Sequence, residues 1–332
     1  MNAVTLMGRA AMGSVSDDFT TPEQADFAAA VQTGLSQRPR TIPARFFYDL
    51  RGSELFEDIT CLPEYYPTRT ETALLRRHAA DLARLAGQGR PIIEFGAGSA
   101  TKTPLLIAAT GASTYVPVDI SGEFLEQSVA TLAQAHPQLR IVPVVGDFSR
   151  PLDLPQLNRP LTGFFPGSTI GNFDHAAAVD LLRSFRQTLG KDARLVIGID
   201  TVKDVPVLEA AYDDAAGVTA AFNLNLLHRI NRELGGTIPV DAFEHRAVWD
   251  AAHGRIEMHL LATRDVEFRA AGQNFTMPRG ETIHTENSHK YTLAEARLLA
   301  RSSGWEPTAF WTDADGLFGL HVWTATDDGA QP

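Results

Sequence analysis

Glu94-Phe95-Gly96-Ala97-Gly98-Ser99 decides how this chain folds. The apolar run Pro91-Ile92-Ile93-Glu94-Phe95 reads as a short buried strand, and residues 103–109 read as a helix. Small residues between the two let the backbone approach a ligand at the carboxyl edge of a sheet. Outward from this loop, strands and helices alternate. Strands are expected over 114–118, 141–145, 163–165 and 194–199, and helices over 124–135 and 176–189. That alternation predicts right-handed βαβ units and a parallel sheet, an α/β Rossmann-like fold.

The alternation breaks at Asp200. Residues 207–231 have a long helical pattern, and 245–249, 256–263 and 266–269 look strand-like, so 203–289 reads as an insertion. The α/β pattern resumes at a helix that Thr292 and Glu295 can box, followed by strands near 308–311 and 321–324. Upstream, Thr21-Pro22-Glu23-Gln24 has the form of a helix start, and Phe27, Val31 and Leu35 give that helix one buried face. Pro39 and Pro43 end it, an aromatic-rich stretch follows, and a second helix is expected over 69–86. The division expected is a flexible tail (1–20), a Rossmann-like domain (70–202 and 290–328) and a second α+β substrate-binding domain (21–69 and 203–289).

The chain has 332 residues, 44 % hydrophobic and 21 % charged, which suits a folded globular protein. Its formal charge of -11 disfavours nucleic acid as a partner. No apolar run is long enough for a membrane helix, and the first residues lack the pattern of a leader peptide. One cysteine, Cys61, cannot form an internal disulfide, so a cytoplasmic location is expected, with the thiol packed as a small apolar group. A small-molecule substrate and a monomer are the default expectations for such a chain. His284, Glu286 and His289 have no spacing that a zinc site would require, and no metal is expected.

A Gly-x-Gly turn is common, so its surroundings matter. Asp119 ends the second strand about twenty residues on, where a carboxylate can hold the hydroxyls of an adenosine ribose. Asp147-Phe148 ends the third strand, an acid and a ring suited to adenine. Thr101 stands where a dinucleotide fingerprint has its third glycine, which favours S-adenosyl-L-methionine over NAD. A nucleotide-dependent oxidoreductase is therefore the weaker alternative.

Several longer segments carry a resemblance. They are Phe47-Tyr48-Asp49 with Gly52-Ser53-Glu54-Leu55-Phe56, Leu62-Pro63-Glu64-Tyr65-Tyr66-Pro67-Thr68-Arg69-Thr70-Glu71, Gly167-Ser168-Thr169-Ile170-Gly171-Asn172, the run from Tyr212 to Asn223, Arg255-Ile256-Glu257-Met258, and Thr285-Glu286-Asn287-Ser288. Together they resemble the L-histidine Nα-methyltransferases of ergothioneine biosynthesis, from about Pro39 onward. The resemblance implies adenosylmethionine-dependent trimethylation of the histidine α-amine, giving hercynine. The same transfer to another amino acid, such as tryptophan or tyrosine, is the close alternative. It implies Asn172 and Tyr212 at the substrate carboxylate and amine, and Glu286 and Ser288 at the imidazole, with Met258 beside it. Tyr48, Phe56, Tyr65 and Gly167 would surround the reacting nitrogen, Tyr48 and Tyr65 being the catalytic candidates. The cofactor would lie on Tyr48, Gly96, Gly98, Lys102, Asp119, Asp147 and Phe148.

Overall fold

The computed structural model describes residues 21–98, 101–120 and 122–326. The expected tail at 1–20, and Ser99 of the glycine loop, lie outside the described residues. One sheet runs in the order Trp305–Thr312, Phe318–Ala325, Arg194–Asp200, Thr162–Phe165, Ile92–Phe95, Thr114–Asp119 and Arg140–Ile141, with Val144–Val145 also on Thr114–Asp119. The pairings from Arg194–Asp200 through Val144–Val145 are parallel, and those of the two last strands in the chain are antiparallel.

Alternation along each parallel strand explains why both faces are covered. Ile93, Phe165, Leu195 and Ile197 pack on one side with Leu181 and Phe185 of helix His175–Leu189. Ile92, Phe164 and Val196 pack on the other with Leu74, Leu82 and Leu106. Successive strand residues point to opposite faces, so a strand buried on both sides reads as a continuous apolar run.

A second sheet runs Arg40–Thr41, Thr282–His289, Arg255–Ala262, Phe243–Asp250. Its core joins Phe27 to Tyr66 with Leu208 to Ile283. Helices Pro22–Ser36, Leu50–Thr60 and Val218–Glu233, and the hairpin Val266–Ala270 with Gln273–Met277, belong to this body. Both helix starts read from sequence are present. Thr21 accepts from the Gln24 N–H at 3.2 Å, and Thr292 with Glu295 forms the reciprocal capping box. Among the described residues, no helix is long and apolar enough to cross a membrane.

Four local expectations are corrected. The helix expected over 207–231 is two, Val205–Tyr212 and Val218–Glu233, because Asp214 caps the second through the Val218 and Thr219 N–H groups. The helix over 69–86 is also two, Tyr66–Arg77 and Ala79–Ala86, divided at His78. The third strand is reduced to two-residue pieces on either side of Val142-Pro143, since proline has no N–H to give a ladder. Cys61, expected to pack, is exposed at the end of helix Leu50–Thr60.

Candidate active site

Strand Ile92–Phe95 lies between Thr114–Asp119 and Thr162–Phe165, so the chain reverses its direction of travel across the sheet there. Ligands of open α/β sheets bind at the carboxyl ends of the strands flanking such a point. Gly96 (φ 72°) and Gly98 (φ 47°) turn the chain there in a left-handed conformation that suits glycine. The Gly98 N–H donates to Asp119 Oδ2 at 3.2 Å, which fixes the acid beside the loop. Gly96, Gly98, Asp119 and Phe148 line a wide cleft together with Tyr48. A Cβ at Gly98 would meet nothing within 4 Å, so this turn faces space that a ligand can fill.

Two of the cofactor candidates sit apart from that lining. Lys102 Nζ bonds Glu71 Oε2 at 2.6 Å, and Asp147 accepts from the Ser149 N–H at 2.9 Å.

A second, smaller cavity adjoins the cleft. It is lined by Tyr48, Phe56, Tyr65, Gly167, Asn172, Tyr212, Met258, Glu286 and Ser288, which brings together every substrate residue expected from sequence. Tyr48, Phe56, Thr169, Asn172 and Glu286 line both spaces.

Local structure explains why these segments supply the walls. Asp49 caps helix Leu50–Thr60 through the Gly52 N–H at 2.6 Å, and a Cβ at Gly52 would collide with the Phe47 carbonyl. This tight start sets the Tyr48 and Phe56 rings edge to face, centroids 5.7 Å apart. Phe56 meets Tyr65 at 6.2 Å and Tyr65 meets Tyr212 at 6.3 Å, again edge to face, so four rings form a continuous wall.

Gly167 (φ 78°) and Ser168 (φ 59°) turn the chain out of strand Thr162–Phe165 into the short helix Thr169–Asn172. Gly171 passes so close to the next sheet that a Cβ would lie 2.8 Å from the His289 carbonyl oxygen. That approach places Asn172 in the same cavity wall as Glu286, on the neighbouring strand.

Burial dominates the electrostatics. It pushes Glu286 up to about 7, while the Lys290 charge and the polar Asn172 side chain pull the other way. Tyr48, Tyr65 and Tyr212 are raised well above the ordinary phenol range by burial and by the neighbouring acids, so all three are protonated phenols at neutral pH.

Below this pocket lies a buried network that the sequence reading missed. Asp200 takes Lys203 Nζ at 2.6 Å, Lys290 Nζ at 2.8 Å and the Tyr66 hydroxyl at 2.8–2.9 Å. Burial alone would raise Asp200, but the two ammonium groups hold it below the usual carboxylate range. One signal was available for Lys290. Glu286, Ser288 and Lys290 follow at intervals of two in extended chain, which puts them on one face. On the opposite sheet face, Glu257 is already paired with Arg255 and His259.

A family model described as histidine-specific methyltransferase, SAM-dependent, matches residues 27–325. The histidine N-alpha-methyltransferase of Mycolicibacterium smegmatis is 39 % identical over 299 residues, covering 88 % of this chain and 92 % of that protein. The protein of the same name from Mycobacterium tuberculosis is 37 % identical with the same coverage. Ergothioneine biosynthesis protein 1 of Neurospora crassa is 32 % identical over 302 residues, which are 86 % of this chain and 33 % of that longer protein. With a cleft at the sheet's switch point and a ring-walled cavity opening from it, the chain belongs to the histidine-specific, adenosylmethionine-dependent methyltransferases.

Proposed function

We propose that this enzyme transfers three methyl groups to the α-amine of free L-histidine, giving hercynine, the first step of ergothioneine biosynthesis, in the cytoplasm. The observation that carries the reading is the pocket itself, which protonated phenols and rings line together with Glu286 and Ser288. Family membership and the named relatives support it.

The roles follow from the chemistry each side chain offers. Gly96, Gly98, Asp119, Phe148 and Tyr48 would hold adenosylmethionine in the cleft, with Asp119 on the ribose hydroxyls. Asp147 would stand at the adenine and Lys102 at the methionine end. Bound there, the cofactor supplies an electrophilic methyl group on a sulfonium. Asn172 and Tyr212 would hold the substrate carboxylate and amine, and Glu286 would accept an imidazole N–H. Met258 would pack beside the ring. Tyr48, Phe56, Tyr65 and Gly167 would surround the amine where cavity and cleft meet, aligning it for in-line attack and excluding water. Ring faces attract cations, so this wall tolerates an ammonium that has lost all its N–H donors. Tyr48 and Tyr65 act as protonated phenols, orienting the amine lone pair rather than removing its proton as phenolates. We also assign residues 70–202 and 290–328 to the methyltransferase domain, and 21–69 and 203–289 to the substrate domain.

The test is incubation with adenosylmethionine and a panel of free amino acids, read by mass. Histidine should gain three methyl groups. Arrest at the monomethyl product with excess cofactor refutes trimethylation, and better turnover of tryptophan or tyrosine refutes the substrate.

A further inference from the structure

Strands Arg255–Ala262 and Thr282–His289 pair so that Glu257 stands opposite Asn287 and His259 opposite His284. Met258 pairs with Glu286 between them, and a bulge separates His284 from Glu286. The bulge puts both outer pairs on one face of the sheet, the face opposite Met258 and Glu286. There the His259 and His284 rings stack with centroids 4.8 Å apart. One donor atom from each of Glu257, His259 and His284 lies within 4.8 Å of those of the other two.

Hydrogen bonds fix the state of each group. A carboxylate and a carbonyl only accept, so His259 Nε2 gives its hydrogen to Glu257 Oε2 at 2.8 Å, and His284 Nε2 gives its own to the Glu286 carbonyl at 3.0 Å. Burial, followed by the charge of the facing His259 ring, pushes the His284 imidazole down, so it is neutral at pH 7 and keeps a lone pair on Nδ1. Burial works against the Glu257 charge, but bonds from His259 and Arg255 outweigh it and hold the carboxyl below its ordinary range. Arg255 Nε takes Glu257 Oε1 at 2.9 Å and lies 3.7 Å from Asp250, so two carboxylates share one guanidinium. Two acceptors of this face, His259 Nδ1 and Asn287 Oδ1, are buried without a hydrogen-bond partner.

Two imidazoles and a carboxylate are a donor set that zinc takes where a fourth position stays open. A ligating histidine gives its other N–H to a carbonyl or carboxylate, and His284 already makes such a bond. An ion between His259 and Glu257 replaces the hydrogen they share, and that hydrogen passes to the unpartnered His259 Nδ1. Asn287 Oδ1 can accept from a water in the fourth position. Four-coordinate zinc holds its donors about 3.4 Å apart, so side-chain rotation closes the present spacing with the strands left in place.

We propose that Glu257, His259 and His284 form a binding site for a divalent transition metal, zinc by its donors, which clips the two strands together on the sheet face opposite Met258 and Glu286. The ion is a clip outside the residues assigned to methyl transfer.

Zinc binding to chelator-treated enzyme is read by calorimetry, with cobalt(II) as a visible-spectrum probe of the donors. Wild type should take up a single equivalent of zinc and melt at a higher temperature with it. The cobalt form should show the absorption of a four-coordinate nitrogen and oxygen site. His259→Ala and His284→Ala should each weaken zinc by about 100-fold or more, since even the groups that orient a ligand are worth about 10–100-fold. The melting shift should go with it. If an alanine variant does not fold, His284→Phe decides, because it keeps a ring in the stack and has no donor nitrogen. Loss of the zinc equivalent there supports the site, and retention overturns it. No uptake by wild type, or uptake that survives both histidine changes, also overturns the proposal; the second result would mark binding at other histidines.

Discussion

Glu71 and Lys102 meet at 2.6 Å through the same carboxylate oxygen, Oε2, that accepts the Gly167 N–H at 2.9 Å. One buried atom thus ties the chain beyond the glycine loop to the turn that borders the substrate cavity. Glu71→Ala should weaken both ligands together. Losing a charge-assisted bond costs on the order of 1.5–3 kcal/mol. Calorimetry with adenosylhomocysteine and the KM for histidine should both worsen. A variant that changes only one of them would separate the two sites.

Asp119→Ala should weaken the cofactor and spare the substrate cavity, which Asp119 does not line. The expected loss is about 1.5–3 kcal/mol for each charge-assisted hydrogen bond to the ribose, before compensation by water. Unchanged affinity in a folded variant would remove Asp119 from the site.

Glu286 should impose a pH dependence on histidine recognition. Its folded-state pKa stands at about 7, so the carboxylate that accepts an imidazole N–H is lost as pH falls through that value. Lys290 and Asn172 favour the ionised form, while the nearby phenols of Tyr48, Tyr65 and Tyr212 are protonated and carry no charge. The KM for histidine should therefore fall as pH rises from about 6 to 8. In Glu286→Ala that limb should vanish, and histidine should lose more affinity than the cofactor does. A limb that persists in Glu286→Ala would assign the titration elsewhere.

Glu94 bears on stability in the same pH range. It is buried, accepts from the Tyr115 hydroxyl at 2.6 Å and from Thr103, and is raised to about 7 by burial. A carboxyl raised on folding binds its proton more tightly in the folded state. Its contribution is present below the unfolded value near 4.5 and is lost as pH rises through about 7. Glu94→Gln keeps an acceptor for both hydroxyls and removes the charge. At pH 8 it should raise stability by on the order of 1–3 kcal/mol, and at pH 5 it should change little. Denaturant melts at the two pH values check the sign; equal effects at both would remove ionisation as the cause.

The sheet was legible because its cues are local. Apolar runs at Ile92–Phe95 and Arg194–Asp200, the glycine turn, and acids at strand ends all lie within short windows. The break at 213–217 was not, because Asp214 acts on N–H groups of the helix after it and a helical periodicity runs through it. The cavity residues were found through long shared segments; periodicity alone would have left Tyr212 in the core. The Asp200–Lys290 pair escaped because the two residues are far apart in the chain. Asp200 sits where a strand ends, Lys290 just past another, and only the folded chain joins them.

The two-residue strand Arg40–Thr41 pairs in parallel with Ile283 and His284. That pairing closes a loop of about 240 residues, a closure whose entropy must be met before its contacts repay it. During synthesis helix Pro22–Ser36, which carries Phe27 and Leu35, therefore emerges long before residues 208–283, which complete the core it belongs to. Its apolar face waits for them uncovered. Expression at lower temperature or with chaperones in excess should accordingly raise the yield of this enzyme more than that of a Rossmann domain with local pairings alone.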